Sequence, residues 1–162
     1  MEFYRKDLDD FCGILNQHRV DYLIIGGLAV NFHGFQRATG DIDIWYHPTQ
    51  ANFDKLLRAI EVFGFDTSEI RQGQTTDAKG FIRLLLDRYS IELLSNIDGK
   101  FSFEDAIAAS ESLTIINHEA KVLGYDHLVQ NKIMARRPKD LEDVRQLEIR
   151  RQAREGNTGN PS

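Results

Sequence analysis

The sequence predicts a single α/β (α+β) domain in which helices back a small mixed β-sheet. Its 162 residues suffice for one domain that buries roughly 70% of the surface of its unfolded chain. Apolar residues recur at helical spacing in several segments and form short β-like runs in others. No internal repeat and no second domain are recognisable. We therefore predict one domain over residues 1–155 and, because the last residues lack an apolar anchor, a disordered tail over 156–162.

The composition disfavours several classes of protein. Apolar residues make up 41% and charged residues 28% of the chain, as is ordinary for a soluble globular protein. The net charge of −5 does not favour non-specific binding to nucleic acid. No apolar run approaches the roughly 20 residues that span a bilayer, and the acidic N-terminus does not resemble a signal peptide. The single cysteine, Cys12, falls in an apolar stripe and can form no internal disulfide. We expect a cytoplasmic protein with no membrane partner.

The first elements alternate between helix and strand. Residues 3–18 carry apolar side chains at helical spacing, which predicts an amphipathic helix. Tyr22–Ile25 is apolar, rich in β-forming residues and too short for a helix, so it predicts a buried strand. Gly26 and Gly27 end that strand. Residues 28–32 then predict one or two helical turns.

A second predicted strand, Asp41–Tyr46, alternates carboxylates with isoleucines. Asp41 and Asp43 therefore point to one face of the sheet and the isoleucines to the other. Two carboxylates on one face repel each other unless a cation lies between them. An EF-hand loop is excluded, because Trp45 and Tyr46 occupy the places where that loop needs an oxygen ligand and a glycine. A metal site and a solvated strand edge both remain open.

The middle of the chain predicts one helix and a hairpin. Thr49 is a suitable N-cap for a helix that Gly64 ends. Residues 66–80 are mostly polar and predict an exposed connection. Phe81–Leu86 and Ser90–Leu94 then predict two strands joined by a turn.

The C-terminal third is predicted to be mainly helical. Ser102 and Asp105 form a capping-box pattern that opens a helix. Two short β-like runs follow, Leu113–Ile116 and Ala120–Leu123. The C-terminal helices come after them, and Pro138 suits the first turn of the last one.

The glycine pair and the paired aspartates together resemble a known signature. Gly26-Gly27, thirteen intervening residues and Asp41-x-Asp43 are similar to the motif of the nucleotidyltransferase superfamily that includes DNA polymerase beta. The likeness is strongest to its small bacterial members: the minimal nucleotidyltransferases, the lincosamide nucleotidyltransferases and the toxins of type IV abortive-infection systems. The motif covers about residues 22–94, and a weaker likeness in the C-terminal helices extends it over most of the chain.

The resemblance implies a nucleotidyltransferase-type domain with a defined site. In this superfamily the glycines let the backbone approach the nucleotide phosphates. By likeness, Asp41 and Asp43 would hold two divalent metal ions, Mg²⁺ or Mn²⁺. A third carboxylate on a neighbouring strand would complete the site.

Strand parity indicates Glu92 as the third carboxylate. Ile91 and Leu93 share one face of their predicted strand, so Glu92 points to the other. A glutamate among apolar neighbours in an interior strand is costly to bury unless it is paired or metal-bound. Asp87 is the rival, but it lies in the predicted turn, where aspartate is favoured for local reasons. A merely solvent-facing Glu92 is the alternative, and family members often carry aspartate at this position.

Lys132 and Arg37 are the predicted cationic residues of the site. Lys132 falls in the inward stripe of a helix that begins near Tyr125. Its stem could pack there while its ammonium reaches water, or the ammonium could bind the nucleotide phosphates, as the resemblance implies. Arg37 precedes the carboxylate strand, where a phosphate or acceptor contact is expected. Residues 136–143 are interpreted mainly as structural, and the local basic excess over 132–154 as a solvated helix face or a docking surface.

These expectations define one predicted function and its alternatives. The protein would move a nucleoside monophosphate from an NTP, most simply ATP, to the hydroxyl of an unknown acceptor: a small molecule such as an antibiotic, a tRNA end or a protein. A sugar transferase with a metal-binding Asp-x-Asp is disfavoured by the short chain. A non-catalytic nucleotide-binding domain, or the partner in a toxin–antitoxin pair, is the main alternative. The presence of all three carboxylates argues against it. The predicted site residues are Asp41, Asp43 and Glu92 for catalysis and metal binding, and Gly26, Gly27, Arg37 and Lys132 for nucleotide binding.

Overall fold

The computed structural model of the chain describes residues 3–73 and 81–158, which contain seven helices and six strands. In chain order these are α1 (Phe3–Gln17), β1 (Tyr22–Ile25), α2 (Gly26–Phe32), β2 (Asp41–Tyr46), α3 (Gln50–Phe63), α4 (Ser68–Arg71), β3 (Phe81–Leu85), β4 (Ser90–Leu94), α5 (Phe103–Ala108), β5 (Glu111–Thr114), β6 (Glu119–Val122), α6 (Tyr125–Ala135) and α7 (Pro138–Thr158).

All six strands form one mixed sheet in the order β3-β4-β2-β1-β6-β5. β2 pairs antiparallel with β1 and parallel with β4. β1 pairs parallel with β6, and the two outer pairs are antiparallel hairpins. The predicted fold class, a small mixed sheet with helices around it, is confirmed.

The register of the central strands brings the predicted carboxylates together. Asp43 lies opposite Glu92 in the β2–β4 pair and opposite Ile25 in the β1–β2 pair. Asp41 lies opposite Ser90. Because directly opposed residues project from the same face, all three carboxylates share one face of the sheet.

The other face of β2 belongs to the core. The two isoleucines that alternate with the aspartates, Ile42 and Ile44, are buried. α1 packs against α3, with the rings of Phe11 and Phe63 centred 4.8 Å apart, and Cys12, in the apolar stripe of α1, is buried. Among the described helices, none is long and apolar enough to cross a membrane.

Several predicted helix boundaries are confirmed in atomic detail. The Thr49 side chain accepts a hydrogen bond from the backbone N–H of Asn52, and Gly64 ends α3 with φ of 114°. Ser102 forms the predicted capping box with Asp105 at the start of α5. Pro138 is the first residue of α7.

The β5–β6 hairpin differs from its prediction. β5 ends at Thr114, two residues before the predicted end. The reason is a contact from α1: Asp9 Oδ1 accepts hydrogen bonds of 2.9, 2.9 and 3.0 Å from the backbone N–H groups of Ile116, Asn117 and His118. These three amides point to one carboxylate and therefore form a turn rather than a strand ladder.

Three further boundaries differ from those predicted. α2 begins directly at Gly26, so the glycine pair opens the helix instead of separating it from the strand. α4 lies within the predicted connection of 66–80, and residues 74–80 are outside the described ranges. α7 extends to Thr158, into the predicted tail of 156–162. Residues 159–162 are outside the described part, and the tail stays a prediction.

Candidate active site

A cavity of about 740 Å³ lies over the face of the sheet that carries the carboxylates. Asp41, Asp43 and Glu92 line it. Its other walls come from the end of β1, the loop 37–40, the end of β4 with residues 96–98 beyond it, and the α6–α7 region. Parts of the chain far apart in sequence thus converge on one polar cavity.

Asp43 is the most strongly perturbed group of the cavity. Burial raises the pKa of its carboxyl, and the neighbouring carboxylates of Glu92 and Asp41 raise it further, to about 7, although Lys132 opposes the shift. Asp43 Oδ1 is buried and accepts no hydrogen bond from any described residue. A buried carboxylate oxygen in this state requires a proton or a cation.

Asp41 is held by a partner that sequence reasoning missed. Ser90 Oγ donates a 2.6 Å hydrogen bond to Asp41 Oδ1, and Arg83 Nε donates to the same Ser90 oxygen at 3.3 Å. Ser90 lies opposite Asp41 only because β2 and β4 are parallel neighbours in this register. The sequence contains no signal for that pairing.

Glu92 lies on the predicted face, directly opposite Asp43 in the β2–β4 pair, and its carboxylate helps to raise the pKa of Asp43. Its side chain is 25% exposed, and Arg83 Nε is 3.7 Å from its Oε1. The rival Asp87 lies in the β3–β4 turn with its side chain fully exposed. The placement agrees with strand parity, and the catalytic role of Glu92 stays a prediction.

The glycine pair is required by the close approach of neighbouring side chains. Gly26 has φ of +64°, and a Cβ there would overlap Asp43 Oδ2. A Cβ on Gly27 would lie 2.6 Å from Thr39 Oγ1. Any side chain at these positions would therefore displace the carboxylate or the loop wall of the cavity.

Comparison with protein families matches residues 4–158 to the family described as "Nucleotidyl transferase of unknown function (DUF2204)". The chain belongs to this family. The predicted membership of the nucleotidyltransferase superfamily is thus confirmed. A search of curated proteins finds no significant match.

Two solved structures resemble this nucleotidyl transferase in fold. One is the solution structure of the antibiotic-resistance factor ANT(2'')-Ia, with 13% identity, coverage of 97% of this chain and 94% of that one, and a TM-score of 0.61. The other is an antigenic nucleotidyltransferase-like protein from Paracoccidioides brasiliensis, with 16% identity, coverage of 88% and 74%, and a TM-score of 0.53. At these identities the likeness concerns the fold.

In this chain, Lys132 is bound by two carboxylates that neither sequence-based expectation named, and its role in nucleotide binding stays a prediction. Its side chain is buried, and its Nζ lies 3.1 Å from Asp140 Oδ1 and 3.1 Å from Asp143 Oδ2. The ammonium therefore does not reach water. A phosphate contact, as predicted, would have to share an ammonium that two carboxylates already bind.

Arg37 is bound by one of the same aspartates, Asp143 of α7. Its Nε and Nη2 donate to the two oxygens of Asp143 at 2.7 and 3.0 Å. Arg137 forms the corresponding pair with Asp140, at 2.7 Å from Nε to Oδ2. We call these five residues the α6–α7 ion cluster: Arg37, Lys132, Arg137, Asp140 and Asp143.

The spacing of the two aspartates of the cluster along α7 indicates that both face inward. Asp140 and Asp143 are three residues apart, in phase with the buried Leu147, which places them on the inward face of α7. Inward carboxylates opposite an inward lysine indicate a buried ion pair. The bond of Asp143 to Arg37, 106 residues away, could not be inferred from spacing.

The residues present fit a divalent cation. Asp41, Asp43 and Glu92 supply the carboxylate oxygens that Mg²⁺ prefers, and the unpaired Asp43 Oδ1 needs a positive partner. Within the part of the chain that the structure describes, no three histidine, cysteine, aspartate or glutamate side chains form a ready-made metal group. Asp41, turned towards Ser90, would have to adjust on binding.

Proposed function

We propose that the protein is a metal-dependent nucleotidyltransferase that moves a nucleoside monophosphate from an NTP to an acceptor hydroxyl and releases pyrophosphate. The observation that supports this most strongly is the set of carboxylates on one sheet face, with a buried and unpaired oxygen of Asp43 at the cavity. ATP is the first candidate donor.

Asp41, Asp43 and Glu92 would hold two Mg²⁺ ions, for which Mn²⁺ could substitute. When bound, such ions neutralise charge on the transferring phosphoryl group and lower the pKa of the attacking hydroxyl. The raised pKa of Asp43 supports this role, because a cation would replace the proton that the carboxyl otherwise retains.

The chain's own residues would orient the nucleotide and accept the proton. Gly26 and Gly27 leave the backbone open to the phosphates, and Arg37 and Lys132 provide positive charge at the cavity wall. Glu92, partly exposed at the cavity, would accept the proton of the acceptor hydroxyl. The hydroxyl oxygen then bonds to the α-phosphorus while the bond from that phosphorus to the bridging oxygen breaks, and pyrophosphate leaves.

The test is transfer of label from NTPs in cell extract. Wild-type protein, Asp43→Asn and the exposed control Asp87→Asn are each incubated with extract, Mg²⁺ and one of the NTPs labelled at the α-phosphate. Wild type and Asp87→Asn should transfer label, and Asp43→Asn should not. Equal transfer by Asp43→Asn would contradict the role of the carboxylates.

The labelled fraction would also identify the acceptor class. Label in the small-molecule fraction would indicate an antibiotic-like acceptor, label in RNA a tRNA end, and label in protein a protein side chain, including a toxin–antitoxin partner. Nucleotide binding without transfer to any fraction would support the non-catalytic alternative instead.

A further inference from the structure

Arg37 lies at the predicted phosphate end of the cavity. It belongs to the loop between α2 and β2, and its Nη1 would be 3.4 Å from a Cβ placed on Gly27. The guanidinium is therefore directly beside the glycine pair. Its side chain is 23% exposed and lines the cavity.

The hydrogen bonds of Arg37 leave part of the guanidinium available. Nε and one N–H of Nη2 are bound to Asp143, and one N–H of Nη1 is bound to Ala38 O at 3.1 Å. A guanidinium has five N–H groups. One N–H on each terminal nitrogen is thus left without a partner among the described residues, and Nη1 is the nitrogen that lies beside Gly27.

Asp143 determines the orientation of this guanidinium. Its side chain is 2% exposed, and its two oxygens bind Arg37 in the two-point geometry that fixes the guanidinium plane. Lys132 binds Asp143 Oδ2 from α6 at 3.1 Å. Lys132 and Arg37 Nη2 therefore share Asp143 Oδ2, so the buried ammonium holds the carboxylate that binds the arginine.

We propose that Asp143 is a positioning residue for nucleotide binding: it aims the free N–H groups of Arg37 at the phosphates of the NTP beside Gly27. The inference rests on the proposed function, since it assumes that a nucleotide triphosphate occupies this cavity. Lys132 supports the arrangement by holding Asp143, and Arg37 makes the phosphate contact.

Asp140 provides a matched control on the same helix. Both aspartates are essentially buried, and each lies 3.1 Å from Lys132 Nζ. They differ in their second partner: Asp143 binds Arg37, whereas Asp140 binds Arg137, whose side chain is 61% exposed. Replacing either by asparagine removes one carboxylate from the ion cluster, but only Asp143→Asn releases Arg37.

The experiment measures binding of Mg²⁺-tripolyphosphate and of each Mg²⁺-NTP by calorimetry. Tripolyphosphate reports on the phosphate contacts whatever base the enzyme selects. Arg37→Ala and Asp143→Asn should each weaken binding by about tenfold to a hundredfold, as for loss of charged hydrogen bonds. The double variant should be no weaker than Arg37→Ala alone, because Asp143 acts through Arg37. Asp140→Asn should weaken binding clearly less than Asp143→Asn does, although the two variants should lose a similar amount of melting temperature.

Two results would overturn the proposal. Additive losses in the double variant, or equal losses for Asp140→Asn and Asp143→Asn, would show that Asp143 only stabilises the fold. If Asp143→Asn does not fold, Arg37→Lys replaces it, since lysine keeps the charge but lacks the planar fork. Wild-type affinity in Arg37→Lys would then contradict the proposal.

Failure of wild type to bind any of these ligands would overturn the proposed function as well, whereas binding with additive losses overturns only this inference.

Discussion

At the scale of single residues, Asp43 is the carboxyl group of the site whose ionised form is most destabilised by its surroundings. It is buried beside two other carboxylates, and its pKa is raised to about 7. Natural sites often retain such groups because the chemistry needs them, although the fold without its ligand would be more stable without them. Removing this charge should therefore raise the free energy of unfolding of the metal-free protein.

Asp43→Asn should stabilise the metal-free protein at pH 8. A raised pKa means that stability is present at low pH and is lost as the pH rises towards the folded-state pKa, about 7. The variant carries no charge there and avoids this loss, so its free energy of unfolding should be higher by roughly 1–4 kcal/mol. The difference should vanish below about pH 4, where the carboxyl is protonated in both states.

Thermal melts in EDTA across this pH range make the measurement. Asp87→Asn is the control, because that side chain is fully exposed. Excess Mg²⁺ should stabilise wild type and reduce the difference. If Asp43→Asn were less stable than wild type at pH 8 in EDTA, the claim that ionised Asp43 destabilises the metal-free fold would be wrong.

Gly26→Ala should destabilise the protein and disturb the cavity together. The backbone has φ of +64°, and the added Cβ would meet Asp43 Oδ2. We expect a loss of roughly 1–3 kcal/mol in the free energy of unfolding, with weaker Mn²⁺ binding. Gly40→Ala is the matched control, because Gly40 also lines the cavity but its Cβ would meet no described atom within 4 Å. Equal effects of the two changes, measured by urea unfolding, would contradict this explanation.

At the scale of secondary-structure elements, the ion cluster joins α6 to α7. Lys132 lies between Asp140 and Asp143, and all three side chains are buried. A buried ion pair contributes little over a well-packed apolar contact, but removing one partner leaves uncompensated charge.

Lys132→Met should therefore destabilise the fold, contrary to the tolerance expected of a lysine that only contacts phosphate. The two aspartates would retain only their arginine partners, and we expect a loss of about 3 kcal/mol in the free energy of unfolding. Lys55→Met, at an exposed position of α3, is the control. Urea unfolding followed by circular dichroism measures both. Equal stabilities of the two variants would show that the cluster does not hold the helices together.

The same elements show what the sequence could predict. β1, β2 and β4 were predicted with their observed bounds, because period-two alternation and short apolar runs depend only on neighbouring residues. Parity likewise placed Glu92 on the face of Asp43. The predicted end of β5 was wrong, because the observed end depends on a contact with Asp9, more than 100 residues away.

The partners of the buried site residues were likewise not predictable from the sequence. The inward position of Lys132 followed from helical spacing, but its partners did not, since they belong to another helix. Ser90 is a partner of Asp41 only through the order of the strands. Patterns along the chain predict which face a side chain occupies, whereas its partners depend on the tertiary fold.

At the scale of the whole molecule, the sheet and the C-terminal helices assemble one cavity from separate parts of the chain. The carboxylates come from β2 and β4, and the cations from the loop before β2 and from α6 and α7. Carboxylates that could bind metal and cations that could contact phosphate thus line the same cavity, as a metal-bound triphosphate requires. Family membership over residues 4–158 agrees with a site built from nearly the whole length of the domain.

Calorimetric titration with Mn²⁺ tests the central claim most directly. Wild type, Asp43→Asn and the exposed control Asp87→Asn are titrated at pH 7.5 without nucleotide and again with a saturating non-hydrolysable ATP analogue. Wild type and Asp87→Asn should bind Mn²⁺, more tightly with the analogue present, and Asp43→Asn should lose this binding in both conditions. Equal Mn²⁺ binding by wild type and Asp43→Asn would contradict the assignment of the carboxylates as a metal site.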